Sequence, residues 1–330
     1  MKILVAPLNW GLGHATRCIP IIRHYLSQGD EVILGGDGNS LRLLQRTFPT
    51  LRCIDLPSLE LRYTTNAQQR GFYFRAVWAL MRFTIADHYY LRQALAIEHF
   101  DLVIADNRFG CFSRDVRSVY ITHQLYPILP KRLRVLQPLA RAVHACIYKR
   151  YAEVWVPDYA DPSHNLSGAL SHGGRFDRRA KYIGPLSRFT PLKTILHNTT
   201  PFYTNLHHTT QHYTHLALLS GLEPQRTIFE QELLQRFADS QERVLLVRGK
   251  VSDPHTVIQR GNITIIPSIT DDDLRAVVQE VHTIIARSGY STIMDLEALD
   301  VLHKAEFHPT PGQSEQEYLF AYLSHLTCSL

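Results

Sequence analysis

The chain has 330 residues, is 45% hydrophobic and 20% charged, and carries a formal net charge of +5. That length suits two α/β domains, and the composition excludes a low-complexity or fibrous protein. No run of about 18 apolar residues is present, and the start "MKILVAPLNW" lacks a secretory apolar region and cleavage site, so the reading is a cytoplasmic protein with no transmembrane helix. Five scattered cysteines (Cys18, Cys53, Cys111, Cys146 and Cys328) have no C-x-x-C spacing and read as buried thiols in a reducing compartment. The charge is uneven. Residues 1–190 hold 25 Lys/Arg against 14 Asp/Glu, and residues 191–330 hold 10 against 16. A basic half joined to an acidic half suggests that one half faces something anionic.

In chain order, short apolar runs predict strands at 2–7, 31–35, 52–56, 101–105, 118–122 and 153–157. Helical periodicity predicts helices at 14–28, 38–47, 70–97 and 133–150. The alternation predicts a parallel sheet with helices on both faces. "KYIGPLSRFTPL" at 181–192 adds a last short strand and closes a first domain over 1–190. The Thr- and His-rich stretch 191–214 reads as a linker. Its His207, His208 and His212, with His215, do not share one helix face and lack nearby Cys, Asp or Glu, so no metal site is expected. A second domain over 215–330 repeats the rhythm. Strands are predicted at 215–219, 243–248, 262–266 and 282–286, and helices at 227–238, 271–279, 291–299 and 313–324.

In open α/β sheets, ligands bind beyond the carboxyl ends of strands. The informative residues follow strands here: "NWGLGHATR" (9–17), "DNRFG" (106–110), "HQ" (123–124), "SGLEPQR" (220–226) and "RSGYSTIMDLEAL" (287–299). "GLGHAT" is only a partial dinucleotide fingerprint, because Thr16 stands where close packing wants Gly or Ala. His14 sits at a helix mouth, where a neutral imidazole suits a base; it equally suits ordering of the turn. Asp106 and His123 are further catalytic candidates. Two loops of the second half, with Ser220, Gly221 and Arg226 and with Ser288, Gly289 and Ser291, lead into helix N termini that bind diphosphate. Asp295 lies one turn into the latter helix, where a carboxylate accepts from a ribose diol, although Ser291 also fits a plain N-cap.

Taken together, "GLGHATR", "ITHQL" (121–125), "ARSGYSTIMDLEAL" (286–299) and "PTPGQSEQEYL" (309–319) resemble the GT-B glycosyltransferases, most closely family 28, which includes the bacterial lipid-linked peptidoglycan N-acetylglucosaminyltransferase. The resemblance implies an α/β protein of two Rossmann-like domains facing a cleft, the first binding an acceptor and the second a nucleotide sugar. It implies inverting, metal-independent transfer from a UDP-linked sugar, such as an N-acetylhexosamine, to a cell-envelope glycan or lipid-linked acceptor. The nucleotide sugar is then a co-substrate and no cofactor is needed. By position, Asp295 matches a ribose-holding glutamate, Gln316 and Glu317 match a Gln-Gln pair that reads sugar hydroxyls, and Arg226 and Arg188 match basic residues near the phosphates. Arg287, Ser288, Gly289, Ser291 and Thr292 with Ser220 and Gly221 complete the implied donor site. Asn9, Gly11, Gly13, Arg17 and Gln124 form the implied acceptor-side wall.

Glu at 317 and Asp at 295 depart from the family pattern and leave the donor open, and Asp300 replaces a common glycine. The chain also stops soon after helix 313–324, short of the family's usual final helix, which implies impaired or different closure. Two alternatives stand beside the transferase: a UDP-sugar 2-epimerase-type enzyme and a degenerate nucleotide-sugar-binding protein. Residues 131–150 carry six Lys/Arg and no acid, with apolar residues near helical spacing. That pattern fits docking on an anionic membrane surface, at the inner face of the cytoplasmic membrane, and residues 72–90 add aromatics. No nucleic-acid module is visible.

Overall fold

The computed structural model describes residues 1–59, 72–190, 212–221, 223–250 and 256–327. The first half builds one seven-stranded parallel sheet from β1 (Lys2–Pro7), β2 (Glu31–Gly36), β3 (Cys53–Asp55), β4 (Leu102–Asp106), β5 (Arg117–Ile121), β6 (Glu153–Val156) and β7 (Ala180–Tyr182). The order is β3-β2-β1-β4-β5-β6-β7. β1 and β2 read as continuous apolar runs because helices cover both faces. Ile3 and Val5 pack with α1 (Gly13–Ser27) and α2 (Gly38–Thr47). Leu4 and Ala6 point the other way, into a core shared with Leu91 of α3 (Phe72–Ile97) and Tyr148 of α4 (Gln137–Tyr148).

The second half is a six-stranded sheet of order β10-β11-β9-β8-β12-β13. Its strands are β8 (His215–Leu218), β9 (Val244–Val247), β10 (Ile258–Arg260), β11 (Ile263–Ile266), β12 (Thr283–Arg287) and β13 (Ala305–His308). Its helices are α5 (Gln225–Arg236), α6 (Asp271–Glu280), α7 (Tyr290–Ala298) and α8 (Ser314–Thr327). All pairings are parallel except the exposed edge strand β10, a short "IQR" with no apolar signal for the sequence to show. This is the expected α/β architecture with two doubly wound sheets.

In each sheet the strand order reverses once next to its first strand. These switch points lie between β1 and β4, and between β8 and β12. Such a point opens a crevice at the strand ends, since the flanking loops leave in opposite directions. Register sets what lies there: Pro7 pairs with Asp106, and Leu218 with Ala286.

One expectation changes. The predicted helix 133–150 starts as a 3-10 turn over Lys131–Leu136, and α4 begins only at Gln137. Pro138 fits the first turn of α4, where no backbone N–H is needed, but not a helix interior. α8, the helix expected at 313–324, lies on the first half. Leu319 and Leu323 of α8, with Tyr290, Ile293 and Met294 of α7, belong to the core formed by β1, α1 and α2. The Tyr318 hydroxyl accepts from the Ala169 amide at 2.7 Å. Most of the predicted linker, with His207 and His208, lies outside the described residues; His215 bonds Glu242 at 2.9 Å. No described helix is long and apolar enough to cross a membrane.

Leu319 is fully buried at this junction. Leu319→Ala is expected to destabilise the chain by about 2–5 kcal/mol in urea unfolding. A change below about 0.5 kcal/mol, the range of surface substitutions, would contradict the shared core.

Candidate active site

At the first switch point a buried guanidinium organises four other side chains. Arg17 lies on the second turn of α1 and is 1% exposed; Asp106, at the end of β4, is fully buried. Arg17 Nε donates to Asp106 Oδ2 at 2.5 Å, and Nη2 donates to Oδ1. Such a fork-on-carboxylate pair fixes both planes. His14, one turn earlier on α1, places Nδ1 2.9 Å from Asp106 Oδ1 and also 2.9 Å from Arg17 Nη2. An Nδ1–H on His14 donates to Asp106 Oδ1 and leaves Nε2 as the lone-pair nitrogen; in that tautomer the approach of Arg17 Nη2 to Nδ1 is a contact and not a hydrogen bond. Among the described residues nothing bonds His14 Nε2. Arg17 Nη1 lies 3.1 Å from His123 Nδ1, and the Cys18 thiol lies 3.7 Å from Asp106 Oδ2.

The second half reaches into this cluster. His123 Nε2 meets Glu315 Oε1 at 2.6 Å, and Gln124 Nε2 donates to the other oxygen of Glu315. The His123 ring stacks on Tyr290, with centroids 4.2 Å apart and planes within 6°. Tyr290 in turn donates to the Pro157 carbonyl at 2.8 Å. Close approach has a local cause: a Cβ on Gly13 would overlap Ser291 Oγ and lie 3.0 Å from Ser291 Cβ. The mouth of α1 thus meets the mouth of α7 directly.

The electrostatics follow. Burial and the Arg17 charge push the His14 pKa below its ordinary value, against the pull of Asp106. Burial acts to raise the pKa of Asp106, but Arg17 and His14 outweigh it and hold the carboxyl well below the usual range. At Glu315 burial acts to raise the pKa, but the hydrogen bond and electrostatic pull of His123, with His14 and Arg17, together outweigh it and lower the pKa.

Other predicted residues have different jobs. Asn9 bonds Asp37 at 2.9 Å and accepts from the Ser40 amide, and the Gly11 carbonyl accepts from Ser40 Oγ, so both build the loop against α2. Gly38 is needed beside them, because its φ is +54° and a Cβ would overlap the Asn9 amide. Arg17 is not an exposed loop residue but the buried hub. Arg287 is buried, donates to the Pro309 carbonyl at 3.0 Å and lies over Phe229 at 3.9 Å, so it supports a loop. Ser288 Oγ holds the Gln316 carbonyl at 2.9 Å. Gln316 Oε1 accepts from the Thr310 amide and Glu317 Oε1 from the Gly312 amide, both shaping the turn before α8.

Beside the pair read as 316 and 317, Glu315 is the carboxylate that faces His123. A signal existed: Glu315, Leu319 and Leu323 share one helix face at i, i+4 spacing, and those leucines bury toward the first half. The N-cap of α7 is Gly289, not Ser291. Tyr290, Ser291 and Thr292 thus form its first turn, whose N–H groups have no helical partner. Ser220 and Gly221 are exposed after β8, and Arg226 pairs with Glu223 at 2.7 Å. Asp295 accepts from Ser187 at 2.6 Å and lies 3.4 Å from Arg188, which also pairs with Asp271 at 3.0 Å. Burial raises the Asp295 pKa in spite of Arg188.

Removing Arg17 strands a buried carboxylate. Arg17→Met is expected to lower stability by about 3–5 kcal/mol, with recovery in Arg17→Met/Asp106→Leu, measured by thermal or chemical unfolding. Equal loss in both variants would show that the ion pair is not the source. For the domain contact, Gly13→Ala is expected to destabilise by about 1–3 kcal/mol, with partial rescue by Ser291→Gly in a double-mutant cycle; simple additivity would refute direct contact.

No family model matches the chain. Two curated relatives, from Methanosarcina acetivorans and Methanosarcina mazei, are each 22% identical over 96% of this chain and 82% of their own, and each is named an uncharacterized glycosyltransferase. Both are archaeal, whereas the sequence resemblance pointed to a bacterial envelope enzyme. Among solved structures, the calicheamicin glycosyltransferase CalG4 aligns with a TM-score of 0.59 at 14% identity, over 98% of this chain and 83% of its own. Phytolacca americana UGT2, complexed with UDP-2fluoro-glucose and pterostilbene, gives 0.57 at 13% identity, over 98% and 83%. By its fold the chain is similar to GT-B glycosyltransferases, and its curated relatives carry the glycosyltransferase name.

Proposed function

We propose that the chain transfers a sugar from a UDP-linked donor to a hydroxyl acceptor with inversion, with His14 as the base. The observation that carries this reading is the 2.9 Å contact between His14 Nδ1 and Asp106 Oδ1, which leaves Nε2 without a partner among the described residues. A neutral imidazole so oriented can take a proton, and the fixed carboxylate stabilises the imidazolium that results. In the proposed step, Nε2 removes the acceptor O–H proton. The oxygen attacks the anomeric carbon, and the bond from that carbon to the diphosphate oxygen breaks with its electron pair leaving on the diphosphate.

Single displacement is supported by the state of the carboxylates. A double displacement needs a free carboxylate nucleophile. Asp106 is fully buried with both oxygens held by Arg17, and Glu315 is held by His123 and Gln124. The leaving charge is assigned to the N terminus of α7, through Tyr290, Ser291 and Thr292, and to Arg226 beside the first turn of α5. Asp295 retains its assignment to the ribose, and Glu315 replaces Glu317 as the acidic group closest to the transferred sugar. The UDP donor is supported by the ligand named for the Phytolacca structure and by the loops quoted from the sequence. The acceptor class, a glycan or lipid-linked hydroxyl compound, rests on the resemblance.

The test is calorimetric binding of UDP, GDP, dTDP and NAD, followed by a UDP-release assay with a panel of UDP-sugars and acceptors. UDP binding alone, and UDP release that requires an acceptor, is expected. Epimerised sugar without acceptor would assign the epimerase reading, and binding without turnover the binding-protein reading. His14→Ala is expected to lower kcat by about 10²–10⁴-fold. Because the base must be neutral and its pKa is lowered, the acid limb of kcat/KM is expected below about pH 6.5. Full turnover in His14→Ala with an unchanged pH profile would remove the base assignment.

A further inference from the structure

Among the described residues, two that are not glycine have a left-handed backbone: Asn107 at φ +55° and Asp300 at φ +58°. A side chain in that region crowds its own backbone, so each position needs a cause. Asp300 has an ordinary one. It follows Leu299, the C-cap of α7, and chains commonly leave a helix through this conformation. Asn107 instead follows β4, next to Asp106 at the first switch point. Its neighbours hold it there from both sides. The Asp106 side chain is closed on Arg17, and its carbonyl accepts from the Leu8 amide at 2.9 Å. Arg108 is fully buried and donates to Asp87 at 3.0 Å and to the Pro7 and Pro57 carbonyls at 3.2 and 2.7 Å. The Asn107 backbone N–H donates to the Ile121 carbonyl at 3.2 Å. Asn107 therefore stands between the loop that carries His14 and the loop that carries His123. Backbone strain persists only where the surroundings impose it, and it gathers at functional sites.

The side chain is oriented as well. The fully buried Tyr120 donates its hydroxyl proton to Asn107 Oδ1 at 3.0 Å. The amide is planar, so Nδ2 faces away from Tyr120. Asn107 is partly exposed, and Nδ2 bonds nothing among the described residues and is not shut away from solvent. Both nearby guanidinium groups are already paired: Arg17 with Asp106, and Arg108 with Asp87 and, at 3.3 Å, with Asp37. What Asn107 offers is a pair of uncharged, directional donors, which suit a neutral oxygen. We infer that Asn107 determines acceptor specificity, donating from Nδ2 to a hydroxyl oxygen of a neutral, polyhydroxylated acceptor such as a sugar ring. Tyr120 packs on the face of the first sheet opposite α1, the helix of His14, so this contact holds a part of the acceptor other than the hydroxyl that reacts. Such a contact is made equally before and during the reaction, and acts on the acceptor KM. Asn107 has this role within the transferase reading, on which it rests.

The test has two parts. In NMR spectra of the ¹⁵N-labelled full chain, the Asn107 Nδ2 proton pair is assigned by its absence in Asn107→Gly. Methyl β-D-glucoside is expected to shift that pair, and UDP or the anionic methyl β-D-glucuronide to shift it less. In the UDP-release assay, Asn107→Gly is expected to raise the acceptor KM about 3–10-fold, with donor KM and kcat within about twofold. Glycine relieves the backbone strain but leaves the buried Tyr120 hydroxyl without its acceptor. Asn107→Gly/Tyr120→Phe removes both groups, so its Tm is expected to recover while the raised KM remains. Recovery of KM together with Tm would make Asn107 a purely structural residue and overturn the inference. No shift with the glucoside, an equal shift with UDP or the glucuronide, or an unchanged acceptor KM in both variants also overturns it. A glucoside shift in a chain that shows no UDP turnover keeps the sugar contact and removes the transferase reading.

Discussion

Arg17 and Asp106 form an ion pair removed from water, and burial of that kind is stable only when both planes are fixed and every remaining donor finds an acceptor. Arg17 fixes both planes, because its fork closes on Asp106 while Nη1 lies beside His123 Nδ1. The pair therefore acts as a template. It fixes α1 against the end of β4, sets the side of His14 that faces the carboxylate, and brings His123 to the same point. A surface pair of the same residues would do none of this, since water would screen it and the side chains would keep their freedom.

The second dependence is geometric. Each sheet reverses its winding once, and the two reversals lie at the mouths of α1 and α7. Gly13 against Ser291 brings these mouths together, and α8 carries Glu315 onto His123. The cluster consequently belongs to neither half alone: Asp106, Arg17, His14 and His123 come from the first sheet, and Tyr290 and Glu315 from the second. The core behind it is shared in the same way, with Leu319 and Leu323 packed among residues of α1 and β1.

Many polar residues near the site build loops. Arg287, Ser288, Gln316 and Glu317 hold the strand-to-helix turns of the second half through backbone carbonyls and amides. Such bonds satisfy backbone groups that would otherwise be buried unpaired. They also explain why a motif in the right order carries side chains with unlike tasks: one position along a helix turns a side chain by about 100°, from the cleft to the supporting loop.

The sequence by itself determined the alternation of strands and helices, because apolar runs and helical spacing are local properties that burial on both faces imposes on every strand. It located the loops that carry the site, since ligands gather at strand ends, and it singled out His14, Asp106 and His123. It did not reveal that Arg17 joins them, because 89 residues separate Arg17 from Asp106 along the chain. Nor did it distinguish Glu315 from Gln316 and Glu317, whose difference is helical phase. Only tertiary structure decided those matters: strand register, helix phase and the meeting of two switch points are set by packing between segments far apart in sequence.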